Sequence, residues 1–494
     1  MNDWTIMVYI SADDILANFA VESLKQMKRA AGRGVDVIAQ FDANLGGNVP
    51  VYAFSDSKKK ESSIATNVIA NVQGPADMTD PGVLTAFINM ATEKYPAKHY
   101  GLVLWGHGPE LLFDDDVPPS TPAFGRRYFT PANLKKALKG TELLSKEGGK
   151  SKLDIIAIDA CCMAVVEVAG ELRDCANYLI SSQDDVPDAS FPYEQLLNKL
   201  RSLCKKGDLK RISKMIPEAY QEAFQDYIAT PANGLGAITL STLNLDAIET
   251  ITAPLAQLAD ALLQASPDPI LRKKILDARR ASHDFDFGIF VDLLDFCDRL
   301  DRTGHCDNDL SAACEKMRNA IDGQSNKCII EKRASGKDST RCHGLSVYFP
   351  YQTDDATQNA VLLRKNSTAH PSKDRISRIM ELEQDYSALT TSGQTGWMDF
   401  IKRGWSLILA KEIPDELDKH YSAQQCAENL LPEADRAIAL SLASKKLGPQ
   451  PSSGTGLGPE SEPGQKRGTH RTNGAPKEPI IGKGHQYPEK HPPN

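Results

Sequence analysis

Two reactive side chains each follow an apolar run: Cys161, in Asp159-Ala160-Cys161-Cys162-Met163, comes after Leu153 to Ile158, and His107, in Trp105-Gly106-His107-Gly108, comes after Tyr100 to Leu104. An ordinary thiol with a pKa near 8.5 is only about 3% ionised at pH 7, so a cysteine nucleophile needs a base, a nearby cation or a helix amino terminus. His107 supplies the base. A strand-to-helix junction expected at Cys161 supplies free backbone amides and the positive end of a helix dipole. Such a pair suits acyl transfer, in which sulfur attacks a carbonyl, the imidazole protonates the leaving amine, and water hydrolyses the thioester. The backbone N–H groups of Gly108 and Cys161 are the candidate oxyanion donors, because the missing side chain at Gly108 lets main chain approach the reacting group.

The neighbours of Cys161 divide into candidates and core. Cys162 is expected to pack inside, since on a helix start the next side chain points about 100° away. Asp159 lies two residues before Cys161, on the same side of a persisting strand. Its carboxylate could receive a substrate guanidinium through paired charge-assisted hydrogen bonds, or could instead cap a helix. Asp184 and Asp185, in Ser181-Ser182-Gln183-Asp184-Asp185-Val186-Pro187, could add negative charge to the same pocket or be solvated.

Cys161 and His107 are 54 residues apart. In a parallel sheet, strands share their carboxyl-terminal edge, so such residues can meet there. Alternating runs predict strands at residues 4–10, 35–41, 51–54, 100–105, 153–158 and 178–182, with helices at 15–31, 81–94, 130–138 and 162–172. The runs before His107 and Cys161 are apolar without alternation, as parallel strands covered on both faces are. The expectation is a doubly wound α/β domain over residues 1–205, its mainly parallel sheet flanked by helices on both faces. A largely helical, mixed α/β portion at 206–410 follows, with a strand at 237–241, a buried element at 289–294 and a strand at 344–350 that either extend the first sheet or form a subdomain. A helix at 397–409 closes it. Residues 411–447 read as a helical extension. The stretch 448–494, rich in glycine, proline and charge, lacks the apolar surface to order itself.

Composition narrows the partners. With 57 Lys and Arg against 65 Asp and Glu, the net charge of −8 gives no global attraction to nucleic acid or anionic lipid. No run of 18 apolar residues occurs, and Met1-Asn2-Asp3-Trp4 lacks a basic region before the short apolar run that Asp13 and Asp14 interrupt. The ten cysteines are scattered through a large chain, which favours reduced thiols in a cytoplasm. His305-Cys306 and Cys342-His343 lack zinc-site spacing, and no phosphate-cradling glycine loop follows a strand.

Four segments in order resemble the clostripain-like cysteine peptidases, relatives of caspases, gingipains and legumain. They are Trp4 to Ile10, Tyr100 to Gly108, Ile158 to Met163, and Gly344 to Pro350, and the likeness spans about residues 4–405. The interval from His107 to Cys161 is also close to the roughly 50 residues of caspase-type peptidases. The resemblance implies a caspase-like fold, a His107 and Cys161 dyad, cleavage after Arg or Lys, and a basic-residue pocket at Asp159. Two positions depart from it: Asp14 stands where the family usually has asparagine, and Cys162 where a leucine is common. Clostripain uses calcium, but no twelve-residue calcium loop is present here, and no cofactor is expected.

Two further features carry expectations. The connection holding Arg126, Arg127, Lys135, Lys136, Lys139, Lys146, Lys150 and Lys152, with Gly148-Gly149, is a site where a peptidase of this specificity could cut itself. Pro432 to Ala443 resembles a ubiquitin-interacting motif, with Ala437 and Ser441 on one face, although Ser444-Lys445-Lys446 replaces the usual acidic residue. The reading is a cytoplasmic endopeptidase acting on protein or peptide substrates. Its rival is a catalytically silent caspase-like scaffold that recruits a partner through the carboxyl-terminal helix.

Overall fold

A computed structural model describes residues 2–12, 16–32, 34–43, 48–55, 63–72, 76–108, 111–114, 127–145, 152–203, 208–228, 237–302, 308–324, 326–350, 384–409 and 411. The architecture grows from β1 (Asn2–Ser11), whose alternate side chains enter two different cores: Met7 and Tyr9 on one face, Trp4, Val8 and Ile10 on the other. A strand apolar on both faces must be central and covered twice. β1 lies between β2 (Val35–Asp42) and β5 (Ala97–Trp105), parallel to both. β5 is followed outward by β8 (Leu153–Asp159) and β9 (Ala176–Ser181), again parallel. At the far edge, β3 (Val49–Phe54) and β4 (Val68–Val72) add antiparallel strands beside β2.

The sheet continues into the second half of the chain. β10 (Ala237–Asn244) pairs antiparallel with β9, and β13 (Ile329–Gly336) pairs antiparallel with β10. The nine-stranded order is therefore β13-β10-β9-β8-β5-β1-β2-β3-β4. Of the two alternatives left by periodicity, residues 237–241 extend the first sheet. Two smaller sheets join β6 (Leu111–Asp114) with β7 (Arg127–Phe129), and β11 (Asp284–Phe285), β12 (Phe290–Asp292) and β14 (Ser346–Tyr348).

Helices cover both faces. α1 (Ala17–Ala30), α5 (Tyr193–Leu203) and α6 (Leu209–Ile228) bury Leu24, Leu197 and Ile212 against the Val8 face. α2 (Pro81–Lys94), α3 (Pro131–Lys139), α4 (Val166–Glu171) and α7 (Glu249–Ala265) bury Phe87, Leu134, Val168 and Leu258 against the Met7 face. Sequence punctuation sets their starts: Asp80 accepts from Gly82 N before Pro81, and Thr130 accepts from Asn133 N before Pro131. Residues 412–447 and 448–494, with the ubiquitin-motif resemblance at 432–443, lie outside the described residues.

Candidate active site

Sheet register brings the two chemical turns to one edge. In the parallel pairing of β5 with β8, Trp105 stands opposite Asp159, so His107 and Cys161 each lie two residues beyond a paired position. Gly106 N donates to Asp159 O at 3.3 Å, carrying the pairing one step past the strands. Beyond it the two turns touch. A Cβ built on Gly108 would lie 1.9 Å from Cys161 O and 2.8 Å from Cys161 C and N, so any side chain there would collide with the backbone of the cysteine turn. His107, immediately before, is half-buried.

One expectation is corrected here. The helix expected to begin at Cys162 begins four residues later, as α4 at Val166. Cys162 adopts φ +56°, in the left-handed region, and its N–H donates to Asp184 O at 3.2 Å. Ala164 N then donates to Ser182 O at 2.7 Å while Ala164 O accepts from Ser346 N at 2.8 Å. Those amides bond the segment that follows β9, and Ala164 O bonds β14, so residues 161–162 form a turn and the helix dipole does not begin at Cys161.

The thiol sits in an acidic setting. Cys161 Sγ accepts from Val186 N at 3.3 Å. Burial pushes the thiol up to about 12, with the Asp185 carboxylate and then Asp286 adding to the rise and the Val186 amide opposing it. Cys162 is 1% exposed in the core, and its thiol too is raised, by burial and then by Asp286. Asp185 is exposed and Asp184 half-buried; burial raises Asp184 to about 6. Their loop is tethered from behind by Gln183, whose Nε2 donates to Asp292 Oδ2 and Ser346 Oγ, both at 3.0 Å, and whose Oε1 accepts from Gly344 N at 2.6 Å.

Asp159 is 3% exposed. Its Oδ2 accepts from Ser190 Oγ, from Phe191 N at 3.0 Å and from Tyr193 Oη at 2.7 Å. Its Oδ1, also buried, has no hydrogen-bond partner among the described residues. Burial lifts the carboxyl to about 6 despite those three donors. Asp159 therefore caps no helix.

Sequence reading missed Ser190, Tyr193 and Asp286. Ser190-Phe191-Pro192-Tyr193 is a legible cluster of turn and aromatic residues, but its partner lies 31 residues earlier. Asp286, at φ +44° between β11 and β12, carries no local sign that it will face the cysteine turn. Among the described residues no group of three or more His, Cys, Asp or Glu side chains could hold a metal ion, so no ligand set is assigned to calcium.

A mainly parallel sheet clad on both faces, with a cysteine turn and a histidine turn meeting at the carboxyl edge of its parallel strands, is a caspase-like α/β fold. The chain belongs to the clostripain family, whose model matches residues 8–405. Clostripain from Hathewaya histolytica is 26% identical over 231 residues, which is 40% of this chain and 42% of the relative, so the match spans under half of that protein. A secreted C11 cysteine protease from Bacteroides thetaiotaomicron, bound to an irreversible peptide inhibitor, shares the fold with a TM-score of 0.54 at 19% identity, over 80% of this chain and 100% of that one. An inactive zymogen C11 protease from Parabacteroides distasonis gives 0.52 at 17%, over 80% and 99%.

Proposed function

We propose that this chain is an endopeptidase that cleaves after Arg or Lys, with Cys161 as nucleophile and His107 as its base. The observation that carries the reading is the contact of the Gly108 and Cys161 main chains, which brings the residue before Gly108 to the turn that bears the thiol. In this reaction His107 takes the Cys161 proton as sulfur adds to the scissile carbonyl and returns it to the leaving amine; water then hydrolyses the thioester. The amides of Gly108 and Cys161 are the proposed donors to the oxyanion. Specificity for a basic side chain draws on the unpartnered Oδ1 of Asp159 and on the field of Asp184 and Asp185, the latter acting directly on the thiol.

The test is hydrolysis of fluorogenic peptides bearing Arg, Lys, Asp or Leu before the scissile bond, by wild type and Cys161→Ala, with calcium and with chelator. Activity on basic peptides that vanishes in Cys161→Ala supports the reading. Asp159→Ala is expected to lower turnover of basic substrates by about thirtyfold or more, the cost of losing a buried partner of a substrate cation. A fall below about threefold would remove Asp159 from the pocket.

A silent scaffold is the second reading, favoured by the burial and the Asp185 carboxylate that raise the half-buried Cys161 thiol. Cleavage of no peptide by folded protein, together with no labelling of Cys161 by peptidyl acyloxymethyl ketones, would establish that alternative. Self-cleavage is proposed for the connection between His107 and Cys161. Lys135, Lys136 and Lys139 lie on α3, and Lys152 pairs with Asp246 at 2.5 Å. Arg126, Lys146, Gly148, Gly149 and Lys150 lie outside the described residues. Identical intact masses for wild type and Cys161→Ala would reject self-cleavage.

A further inference from the structure

Resting on the reading of Asp159 as the acceptor of a basic substrate side chain, we propose that it offers the substrate a single oxygen, and that Ser190 and Tyr193 thereby set the site to prefer lysine over arginine. An ionised carboxylate has about four lone-pair sites, two on each oxygen. Three donors converge on Asp159 Oδ2: Ser190 Oγ, Phe191 N and Tyr193 Oη. That oxygen is saturated. Oδ1 alone stays buried with no partner among the described residues.

The arrangement is held rigidly. Ser190 is 3% exposed, Phe191 2% and Tyr193 3%. Ser190 Oγ also accepts from Trp105 Nε1, at the end of the strand that leads to His107. Its backbone is fixed in the left-handed region at φ +65°. The hydroxyl is thus oriented from two sides, and rotation of the Asp159 carboxylate to exchange its oxygens would break three hydrogen bonds at once.

The two basic side chains respond differently to one oxygen. A guanidinium gains most from a fork of two parallel N–H···O bonds to both oxygens of a carboxylate. With Oδ2 full, the fork has one tine without an acceptor. An ammonium is a compact charge with three rotatable donors, so it takes Oδ1 with one N–H and turns the others to carbonyls or water. The paired contact with arginine expected from the sequence gives way to a single contact that suits lysine.

The experiment compares kcat/KM on matched peptides with Lys, Arg or norleucine before the scissile bond, for wild type and for Ser190→Gly/Tyr193→Phe. Glycine suits the left-handed backbone at residue 190, and the double variant leaves Phe191 N as the sole donor to Oδ2. Wild type is expected to favour Lys over Arg by at least about threefold, and the double variant to shift that ratio toward Arg by about tenfold. Either single variant still leaves two donors on Oδ2 and is expected to move the ratio less. Rates of Cys161 labelling by lysyl and arginyl acyloxymethyl ketones, read by intact mass, give the same ratio without turnover. Equal or greater preference for Arg in wild type overturns the inference while the basic-pocket reading stands. Cleavage or labelling through norleucine alone overturns both. If thermal melting shows the double variant unfolded, the wild-type ratio decides by itself.

Discussion

Gly108→Ala is the sharpest test of the geometry that joins the two turns. The added methyl would start 1.9 Å from Cys161 O, and real Cβ atoms essentially never approach closer than 3.0 Å, so the turns must separate by about 1.1 Å. Neither neighbour is a flexible side-chain tip; the contact is with main chain. A shift of about 1 Å between reacting groups costs on the order of 100-fold in rate, equivalent to about 2.7 kcal/mol of transition-state stabilisation. Overpacking of this kind costs about 1–3 kcal/mol of stability, too little to unfold a chain of this size. The assay is kcat/KM on a lysyl peptide beside a thermal melt, with Gly393→Ala as control, since a Cβ on Gly393 meets nothing within 4 Å. The expected outcome is a folded Gly108→Ala with about 1% of wild-type activity and an unaffected control. A Gly108→Ala enzyme within about threefold of wild type would refute the close approach of these backbones as the basis of the dyad.

The state of the Cys161 thiol yields a second expectation. Asp185 raises the Cys161 thiol, so Asp185→Asn should lower the pH at which iodoacetamide alkylates Cys161, and an unchanged profile would show that burial alone holds the thiol protonated. A third concerns Glu167, 2% exposed behind the cysteine turn, which burial raises from 4.5 to about 7. The folded protein keeps a proton there that the unfolded chain releases, so this group's stabilisation is present below pH 4.5 and is lost as pH rises through about 7. The difference is about 3 kcal/mol. Urea unfolding near pH 5 and pH 8 should therefore show a smaller loss of stability for Glu167→Gln than for wild type, and equal losses would exclude Glu167 as the source.

The sheet was legible because its central strands write their burial in the sequence. Met7 and Val8 belong to opposite cores, so β1 reads as continuously apolar, and the same holds for β5 and β8. Edge strands were harder. β13, Ile-Ile-Glu-Lys-Arg-Ala-Ser-Gly, is only partly buried over most of its length and lacks the apolar run that would announce a strand. The cysteine turn misled for a different reason. Cys162 to Leu172 has helical composition, but tertiary hydrogen bonds from Cys162 N and Ala164 N to the end of β9 outbid the first turn of the helix. The setting of Asp159 was legible in part: its place at the end of β8 follows from the strand, whereas its hydrogen bonds from Ser190 and Tyr193 follow from no local pattern.

The second half of the chain reaches the candidate site through the loop that follows β9. The loop carrying Asp184, Asp185 and Val186 contacts the thiol directly, through the Val186 amide and the Asp185 charge. Gln183, at the root of that loop, is completely engaged by Asp292, Gly344 and Ser346, all from the second half. His343 Nδ1 is 2.8 Å from Asp292 Oδ1, so the anchor is itself part of a buried polar network. A buried network of this kind favours one arrangement because each unmade bond would leave a desolvated group behind. Asp292, Gly344 and Ser346 are thus coupled, through Gln183, to the loop whose Val186 amide and Asp185 carboxylate act on the Cys161 thiol. A sheet extended by β10 and β13, with β14 bridged to Val165 beside the cysteine turn, makes that coupling a property of the fold and not of one loop.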